Sequence, residues 1–168
     1  QHYPLLENSF TGATRAYAGK LKKMFDAGLK EYELPDGIRA TLRDYQKHGY
    51  RWMLHLYDHA FGGCLSDDMG LGKTLQTIAL IQKVIQREQE RSYGPAASRY
   101  ERQLTIFDAM PSKPGKTRPS LVVVPTSLVH NWMNEISRFA PGIRTGFYGG
   151  PGRRNFRRYY DSCDVLLS

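Results

Sequence analysis

A glycine-rich segment from Ser66 to Thr74 constrains the fold of this chain more than any other feature. Its sequence, SDDMGLGKT, ends in the Gly-Lys-Thr of a Walker A loop, although Asp67 stands where that loop usually has its first glycine. A short apolar pair, Cys64-Leu65, precedes the segment, and apolar residues at helical spacing predict a helix from about Lys73 to Gln89. Strand, loop and helix in this order form a P-loop unit, which predicts an α/β fold.

The spacing of the loop residues suits the binding of a polyphosphate. Gly70 and Gly72 let the backbone curl so that successive N–H groups face inward, and the following helix adds the positive end of its dipole. Lys73 would then neutralise the β and γ phosphates, and the Thr74 hydroxyl would coordinate Mg²⁺, which makes these two the candidate catalytic residues. A turn that merely connects a strand and a helix is the alternative, and the flanking elements disfavour it. The candidate nucleotide-binding residues of the loop are Met69, Gly70, Leu71, Gly72, Lys73 and Thr74.

Strands and helices are predicted to alternate along much of the chain. Thr41 is predicted to cap one helix, and Thr126 or Ser127 to cap the helix that follows the buried strand Leu121–Val124. This alternation implies a parallel sheet with right-handed crossovers. In chain order, the predicted elements besides the P-loop unit are a helix over 14–30, a helix over 42–59, a strand over 121–124, a helix ending near 139, a strand over 144–148, a helix over 153–160 and a strand over 164–168.

Turn residues and changes in composition predict the domain organisation. The residues Pro35-Asp36-Gly37 are typical of a turn. They separate a basic, partly helical accessory segment, residues 1–36, from a unit over 37–168. Within that unit, a polar insertion at about 87–119 loses the apolar periodicity. The chain opens on Gln1 and closes on an apolar run, so we expect it to be a piece of a longer protein.

Composition and charge restrict the partners. Twenty-four basic and 16 acidic residues give a net charge of +8, and the isoelectric point is about 9.6, which favours nucleic acid as a partner. Cys64 and Cys163 are too few for a disulfide scaffold, and the first residues do not have the pattern of a secretory signal, so we expect a reducing, intracellular location. Neither the cysteines nor the histidines show metal-ligand spacing. No run approaches the roughly 20 apolar residues of a membrane helix, and no membrane partner is expected.

Three strings in a fixed order carry a family resemblance. Leu42–Gln46 reads LRDYQ, the loop reads DDMGLGKT, and Leu121–Glu135 reads LVVVPTSLVHNWMNE. Together they resemble the Swi/Snf family of DNA-dependent ATPases, within helicase superfamily two, over roughly residues 37–168. The resemblance implies an incomplete first lobe with a three-layer, RecA-like parallel sheet and flanking helices, preceded by a helical N-terminal segment.

The same resemblance implies the ligands and their sites. It assigns adenine recognition to Gln46, the triphosphate of ATP and its Mg²⁺ to the loop, and a DNA-facing position to 121–135, which corresponds to motif Ia. The residues 164–168 look like the beginning of motif Ib. The chemistry of Gln46 agrees, since a side-chain amide has the donor and acceptor that read the adenine edge, although a glutamine in the first turn of a helix is usually a solvated polar residue.

The chain departs from the family pattern in its acidic residues. No Asp-Glu pair occurs in the 168 residues, so the Walker B carboxylates that would complete the Mg²⁺ site and position water are missing, as is the second RecA-like lobe. We therefore expect the isolated chain to be inactive and to require the second lobe as a partner within the full-length protein.

Basic and hydroxyl side chains provide the candidate DNA contacts. The stretch 144–160 combines arginines and aromatic residues without a carboxylate, which suits phosphate contact, although a solvated helix face is the alternative. Thr126 and Ser127 could donate to a DNA phosphate or simply cap their helix, whereas Trp52 and Trp132 are predicted to be core residues. The candidate DNA-binding residues are Thr126, Ser127, Arg153, Arg154, Arg157 and Arg158.

Together with these observations, the resemblance implies the ATP-binding part of an ATP-dependent double-stranded DNA translocase that remodels chromatin or other protein–DNA complexes. One alternative is a nucleotide-gated DNA-binding module that never hydrolyses ATP. The other is an RNA or DNA strand-separating helicase. The expected location is the cytoplasm, at the nucleoid, in a bacterium and the nucleus in a eukaryote.

Overall fold

The computed structural model describes residues 12–93, 119–149 and 162–168, which form an α/β arrangement. The four helices of these residues are α1 (Gly12–Ala27), α2 (Asp44–Asp58), α3 (Lys73–Tyr93) and α4 (Thr126–Phe139). The three strands are β1 (Ser120–Val122), β2 (Thr145–Phe147) and β3 (Val165–Leu167). No helix of the described ranges is long and apolar enough to cross a membrane.

The three strands form a parallel sheet in the order β1-β3-β2. Val165 of β3 lies opposite Ser120 of β1 on one side and Thr145 of β2 on the other. Every residue of β3 is buried, as expected for a central parallel strand that is covered on both faces. The predicted parallel sheet is therefore confirmed.

Helix α3 lies at the centre of the apolar packing, because it contributes to both core clusters. On one side, Ile78, Ile81 and Ile85 pack with residues of α4 and β3. On the other side, Ala79 packs with Leu42, Tyr50 and Leu54, of which the last two belong to α2. Since α3 begins at Lys73, the same helix that holds the two clusters together also fixes the end of the glycine-rich loop.

The expected strand at Cys64-Leu65 is wrong, because residues 61–68 have no regular secondary structure. A strand forms only when its backbone groups pair with a neighbour, and none of the described strands pairs with this segment. The predicted cap at Thr41 is also wrong. Helix α2 begins after Arg43, whose backbone N–H donates to the Gln46 side chain.

The cap predicted for α4 is wrong as well. Helix α4 begins at Thr126 with Pro125 in the N-cap position and no side-chain capping bond, so neither Thr126 nor Ser127 caps it. Helix α3 continues to Tyr93, so the first residues of the predicted insertion are helical. The remainder of the insertion and the helix expected over 153–160 lie outside the described residues.

The segment that leads into the Pro35-Asp36-Gly37 turn, together with the turn itself, forms hydrogen bonds to both α2 and α3. The turn forms as predicted, with Gly37 at a φ of 83°. The Tyr32 hydroxyl donates to Asp58 over 2.7 Å, and the Gln82 amide donates to the Asp36 carbonyl over 3.0 Å. Burial and the hydrogen bond to Asp58 raise the pKa of Tyr32 to about 12. The boundary at this turn stays a prediction.

Candidate nucleotide-binding site

The glycine-rich loop lies where the N-terminal ends of α2 and α3 meet. Gly70 and Gly72 have φ values of 83° and 76°, in the left-handed region that residues with a Cβ rarely adopt. These are the two glycines that were predicted from the sequence to let the backbone curl. The loop is open to solvent just before Gly70, since Met69 is 95% exposed.

The Lys73 ammonium folds back over this loop. Its Nζ donates to the backbone carbonyls of Asp67 over 2.7 Å and of Asp68 over 2.8 Å. These contacts hold a positive charge at the mouth of the loop, at the N-terminal end of α3. Oriented backbone groups, a helix N-terminus and a lysine together suit a polyphosphate.

Gln46 connects α2 to the loop, although 25 residues separate it from Leu71. Its Oε1 accepts from the Arg43 N–H over 2.9 Å, and its Nε2 donates to the Leu71 carbonyl over 3.1 Å. The Tyr45 hydroxyl donates to the same carbonyl over 3.3 Å. Gln46 is 8% exposed, which makes it part of the site's framework and not a solvated helix residue.

A side chain at Gly72 would displace the amide of Gln46. A Cβ built there would lie 2.5 Å from Gln46 Nε2. A Cβ at Gly70 would meet nothing within 4 Å. The two glycines therefore differ: both supply a positive φ, and Gly72 also permits the close approach of Gln46.

The loop fits a nucleotide phosphate better than it fits a preformed metal centre. The described residues contain no cluster of three or more His, Cys, Asp or Glu side chains that could hold a metal ion. Thr74 lies in the first turn of α3, partly buried, and directly follows Lys73. This placement suits a hydroxyl that reaches Mg²⁺ carried by the phosphates, which is how P-loops use this residue.

Gln76 is a site residue that the sequence analysis missed. It is completely buried, its Nε2 donates to the Asp67 carboxylate over 3.1 Å, and its Oε1 has no partner among the described residues. Its position three residues after Lys73 places both on one face of α3, and this spacing is the signal that could have identified it.

The two tryptophans differ in their surroundings. Trp132 packs against the core cluster of α3, α4 and β3, as predicted. Trp52 is half-buried and lines a groove of about 420 Å³ beside the loop, which it shares with Tyr45, His48, Gly49, Leu65 and Asp67.

The candidate DNA contacts are only partly described. Thr126 and Ser127 are exposed and follow the carboxyl end of β1. Because neither caps α4, both hydroxyls are available to a ligand. The four arginines at 153, 154, 157 and 158 lie outside the described residues.

The parallel sheet and the glycine-rich loop at the start of α3 define a RecA-like α/β domain whose loop has the Gly-Lys-Thr sequence of a P-loop. A family model of the SNF2-related domain matches residues 45–167. The chain belongs to the SNF2-related domain family.

Similar proteins and solved structures support the same family assignment. The chain is 33% identical over 143 residues to YwqA of Bacillus subtilis, which covers 83% of this chain and 13% of YwqA. It is 34% identical over 151 residues to the TATA-binding protein-associated factor MOT1 of Saccharomyces cerevisiae, covering 88% of this chain and 7% of MOT1. The SWI2/SNF2 ATPase core of Sulfolobus solfataricus in complex with double-stranded DNA matches with a TM-score of 0.54 and 34% identity, over 81% of this chain and 23% of that core. The chain thus spans a small part of the length of each relative.

Proposed function

We propose that this chain is the ATP-binding part of an ATP-dependent double-stranded DNA translocase that remodels protein–DNA complexes. One observation carries the proposal: Gln46, the curled loop and the Lys73 ammonium meet in one place. Membership of the SNF2-related family supports ATP as the nucleotide.

Each residue of the site has a role that follows from its chemistry. The Lys73 ammonium neutralises the β and γ phosphates once it leaves its two backbone carbonyls. The Thr74 hydroxyl coordinates Mg²⁺, which supplies charge neutralisation when bound. The N–H groups of residues 69–72 cradle the phosphates. Gln46 uses its remaining amide hydrogen and lone pair on adenine.

Double-stranded DNA is the proposed second ligand. The solved Sulfolobus core is described as a complex with double-stranded DNA, and one relative is named as the helicase SWR1. In this chain, we assign phosphate contacts to Thr126 and Ser127. We assign further phosphate contacts to Arg153, Arg154, Arg157 and Arg158 on the basis of their charge.

Turnover requires groups that these 168 residues do not contain. The chain has no Asp-Glu pair of the kind that completes a Walker B site. We propose that the full-length protein supplies this pair and a second RecA-like lobe, so that the chain alone binds nucleotide without turning it over.

The test measures ATP hydrolysis by the full-length protein with and without duplex DNA, and compares it with Lys73→Ala. We expect duplex DNA to stimulate ATP hydrolysis, and the protein to move along the duplex and displace a triplex-forming strand. Both activities should be lost in Lys73→Ala. Separation of the duplex strands would favour the strand-separating helicase. ATP-dependent DNA binding without hydrolysis would favour the nucleotide-gated binding module.

A further inference from the structure

Asp67 is a departure from the Walker A pattern that the proposed function leaves unexplained. It stands where that loop usually has its first glycine, and a second acidic residue, Asp68, follows it. Because like charges repel, a carboxylate at this position opposes the binding of a polyphosphate unless its side chain is held in another direction. The contacts of Asp67 show where the chain places this charge.

The side chain and the backbone of Asp67 have different partners. Its carboxylate accepts from Gln76 Nε2 over 3.1 Å, and its backbone carbonyl accepts from Lys73 Nζ over 2.7 Å. No lysine or arginine of the described residues forms an ion pair with this carboxylate. The amide of Gln76 is therefore the group that fixes the direction of the Asp67 carboxylate.

The burial of Gln76 sets it apart from an ordinary helix glutamine. It is completely buried on α3, whereas most glutamine side chains lie at the protein surface. A buried amide destabilises the fold unless it is hydrogen-bonded, and Gln76 Oε1 has no partner within the part of the chain that the structure describes. The chain thus keeps a polar group in its core at a loss of stability, which is typical of a residue that serves a site.

Gly49 of α2 makes room for the Gln76 amide. A Cβ built at Gly49 would overlap with Gln76 Oε1 and would lie 3.2 Å from Gln76 Cδ. The missing side chain therefore lets the amide lie against the backbone of α2 while its Nε2 reaches Asp67. Three elements fix one carboxylate, because α3 supplies the donor, α2 leaves the space and the loop supplies the acid.

We propose that Gln76 is a positioning residue of the phosphate loop, which directs the Asp67 carboxylate toward the core and away from the phosphates of ATP. The phosphates bind to the N–H groups of residues 69–72, at the exposed side of the loop. The Asp67 carbonyl stays beside Lys73, so the loop retains its lysine without presenting the Asp67 carboxylate to the ligand. This inference rests on the proposed function, because it assumes that the loop binds the triphosphate.

Two substitutions in the full-length protein remove the amide and the carboxylate charge, singly and together. Gln76→Met keeps the length of the side chain but lacks the donor, and Asp67→Asn keeps its size but lacks the charge. Calorimetry with Mg²⁺ and inorganic tripolyphosphate measures the affinity of the loop without a contribution from the base. Gln82→Met is the matched control, because Gln82 donates from the same helix to the Asp36 carbonyl over 3.0 Å. Circular dichroism melting curves identify any variant that fails to fold.

We expect Gln76→Met to weaken tripolyphosphate binding about tenfold, because the released carboxylate can then approach the anion. The same substitution combined with Asp67→Asn should cause no loss relative to Asp67→Asn alone, since no charge is left to direct. Combined with Asp68→Asn it should still cause the full loss, because Gln76 holds Asp67 and not Asp68. Gln82→Met should match the original protein.

The salt dependence gives a second readout, which a loss of packing would not change. Raising the salt concentration from about 0.01 M to about 0.15 M shortens the Debye length from about 30 Å to about 8 Å. We therefore expect the affinity ratio between the original protein and Gln76→Met to shrink over this range. A ratio that is independent of salt would contradict a role of the Asp67 charge.

Gly49→Ala displaces the same amide from the side of α2, and it provides the test if Gln76→Met does not fold. It should weaken tripolyphosphate binding in the original protein and have no such effect in combination with Asp67→Asn. Equal losses with and without Asp67→Asn, or no loss in either case, would overturn the proposal. Failure of the original protein to bind tripolyphosphate would instead overturn the phosphate site, and with it the proposed function.

Discussion

The side-chain amide of Gln46 donates to the backbone carbonyl of Leu71 over 3.1 Å, so the first turn of α2 is tied directly to the glycine-rich loop. The same amide accepts from the Arg43 N–H and thereby organises the start of α2. A residue proposed to read adenine is therefore also a support of the phosphate loop. Changes at Gln46 should affect both base selectivity and the order of the loop.

Gly72→Ala and Gly70→Ala form a matched pair that isolates the contact between Gly72 and Gln46. Both substitutions place a Cβ at a positive φ, which costs about 1–2 kcal/mol. Only the Cβ at position 72 also meets Gln46. We expect Gly72→Ala to lower the free energy of unfolding in urea by about 1 kcal/mol more than Gly70→Ala, because the bond to Leu71 is lost. Equal losses would show that Gln46 does not support the loop.

Gln46→Ala should reduce the preference for ATP over GTP more than it reduces the affinity for tripolyphosphate. The free energy of unfolding should also fall by about 1–2 kcal/mol, since the variant loses the bonds to Arg43 and Leu71. Calorimetric titrations and urea unfolding measure the two effects. Gln89→Ala, at an exposed position of α3, is the control and should change neither. An unchanged ATP to GTP ratio would remove Gln46 from base recognition.

The parts of the fold that the sequence could predict are those encoded by neighbouring residues. The loop glycines, the helical periodicity of α3 and the apolar strand β3 are local patterns, and all three are present in the structure. The error at Cys64-Leu65 has a physical reason, because strand formation depends on a partner that a local pattern does not specify. Long-range packing, which no spacing rule covers, creates the double role of Gln46, whose side chain bonds both to Arg43 and to Leu71.

The ion pair between Arg144 and Asp164 should make stability depend on pH in the acid range. Asp164 is 6% exposed and accepts two side-chain bonds from Arg144, at 2.7 and 3.0 Å, besides the Arg144 N–H. Burial alone would raise the pKa of Asp164, but these bonds outweigh it and hold the pKa below its ordinary value of 3.8. The stabilisation is therefore present above that value and is lost as the pH falls through the lowered pKa.

Asp164→Asn should accordingly lower the free energy of unfolding at pH 7 by about 1–2 kcal/mol, because the charge-assisted bonds from Arg144 are lost while the Arg144 side chain, 63% exposed, keeps its contact with water. The difference from the original chain should shrink as the pH is lowered from 5 toward about 2. Asp44→Asn is the control, since the Asp44 side chain is 99% exposed and should contribute little. A difference that is independent of pH would show that the carboxylate charge is not what stabilises this end of the sheet.

Replacing Arg153 and Arg157 with glutamine in the full-length protein should flatten the salt dependence of DNA binding. Each lost phosphate contact reduces the slope of log K against log salt by about 0.9, so the double variant should lose about 1–2 in slope. Different duplex sequences should be weakened about equally, because phosphate contacts carry no sequence information. Arg91→Gln, an exposed arginine of α3, is the control. An unaltered slope in a folded variant would place the DNA elsewhere.

The proposed function depends most directly on the binding of the triphosphate by Lys73. The measurement is a calorimetric titration of Mg²⁺ and ATP into the full chain, into Lys73→Ala and into Lys47→Ala, whose lysine pairs with Asp44 on α2. We expect the original chain and Lys47→Ala to bind ATP alike, and Lys73→Ala to lose at least about tenfold in affinity, since a charge-assisted contact to phosphate is removed. Equal affinity in all three proteins, with folding intact, would show that Lys73 does not bind the triphosphate.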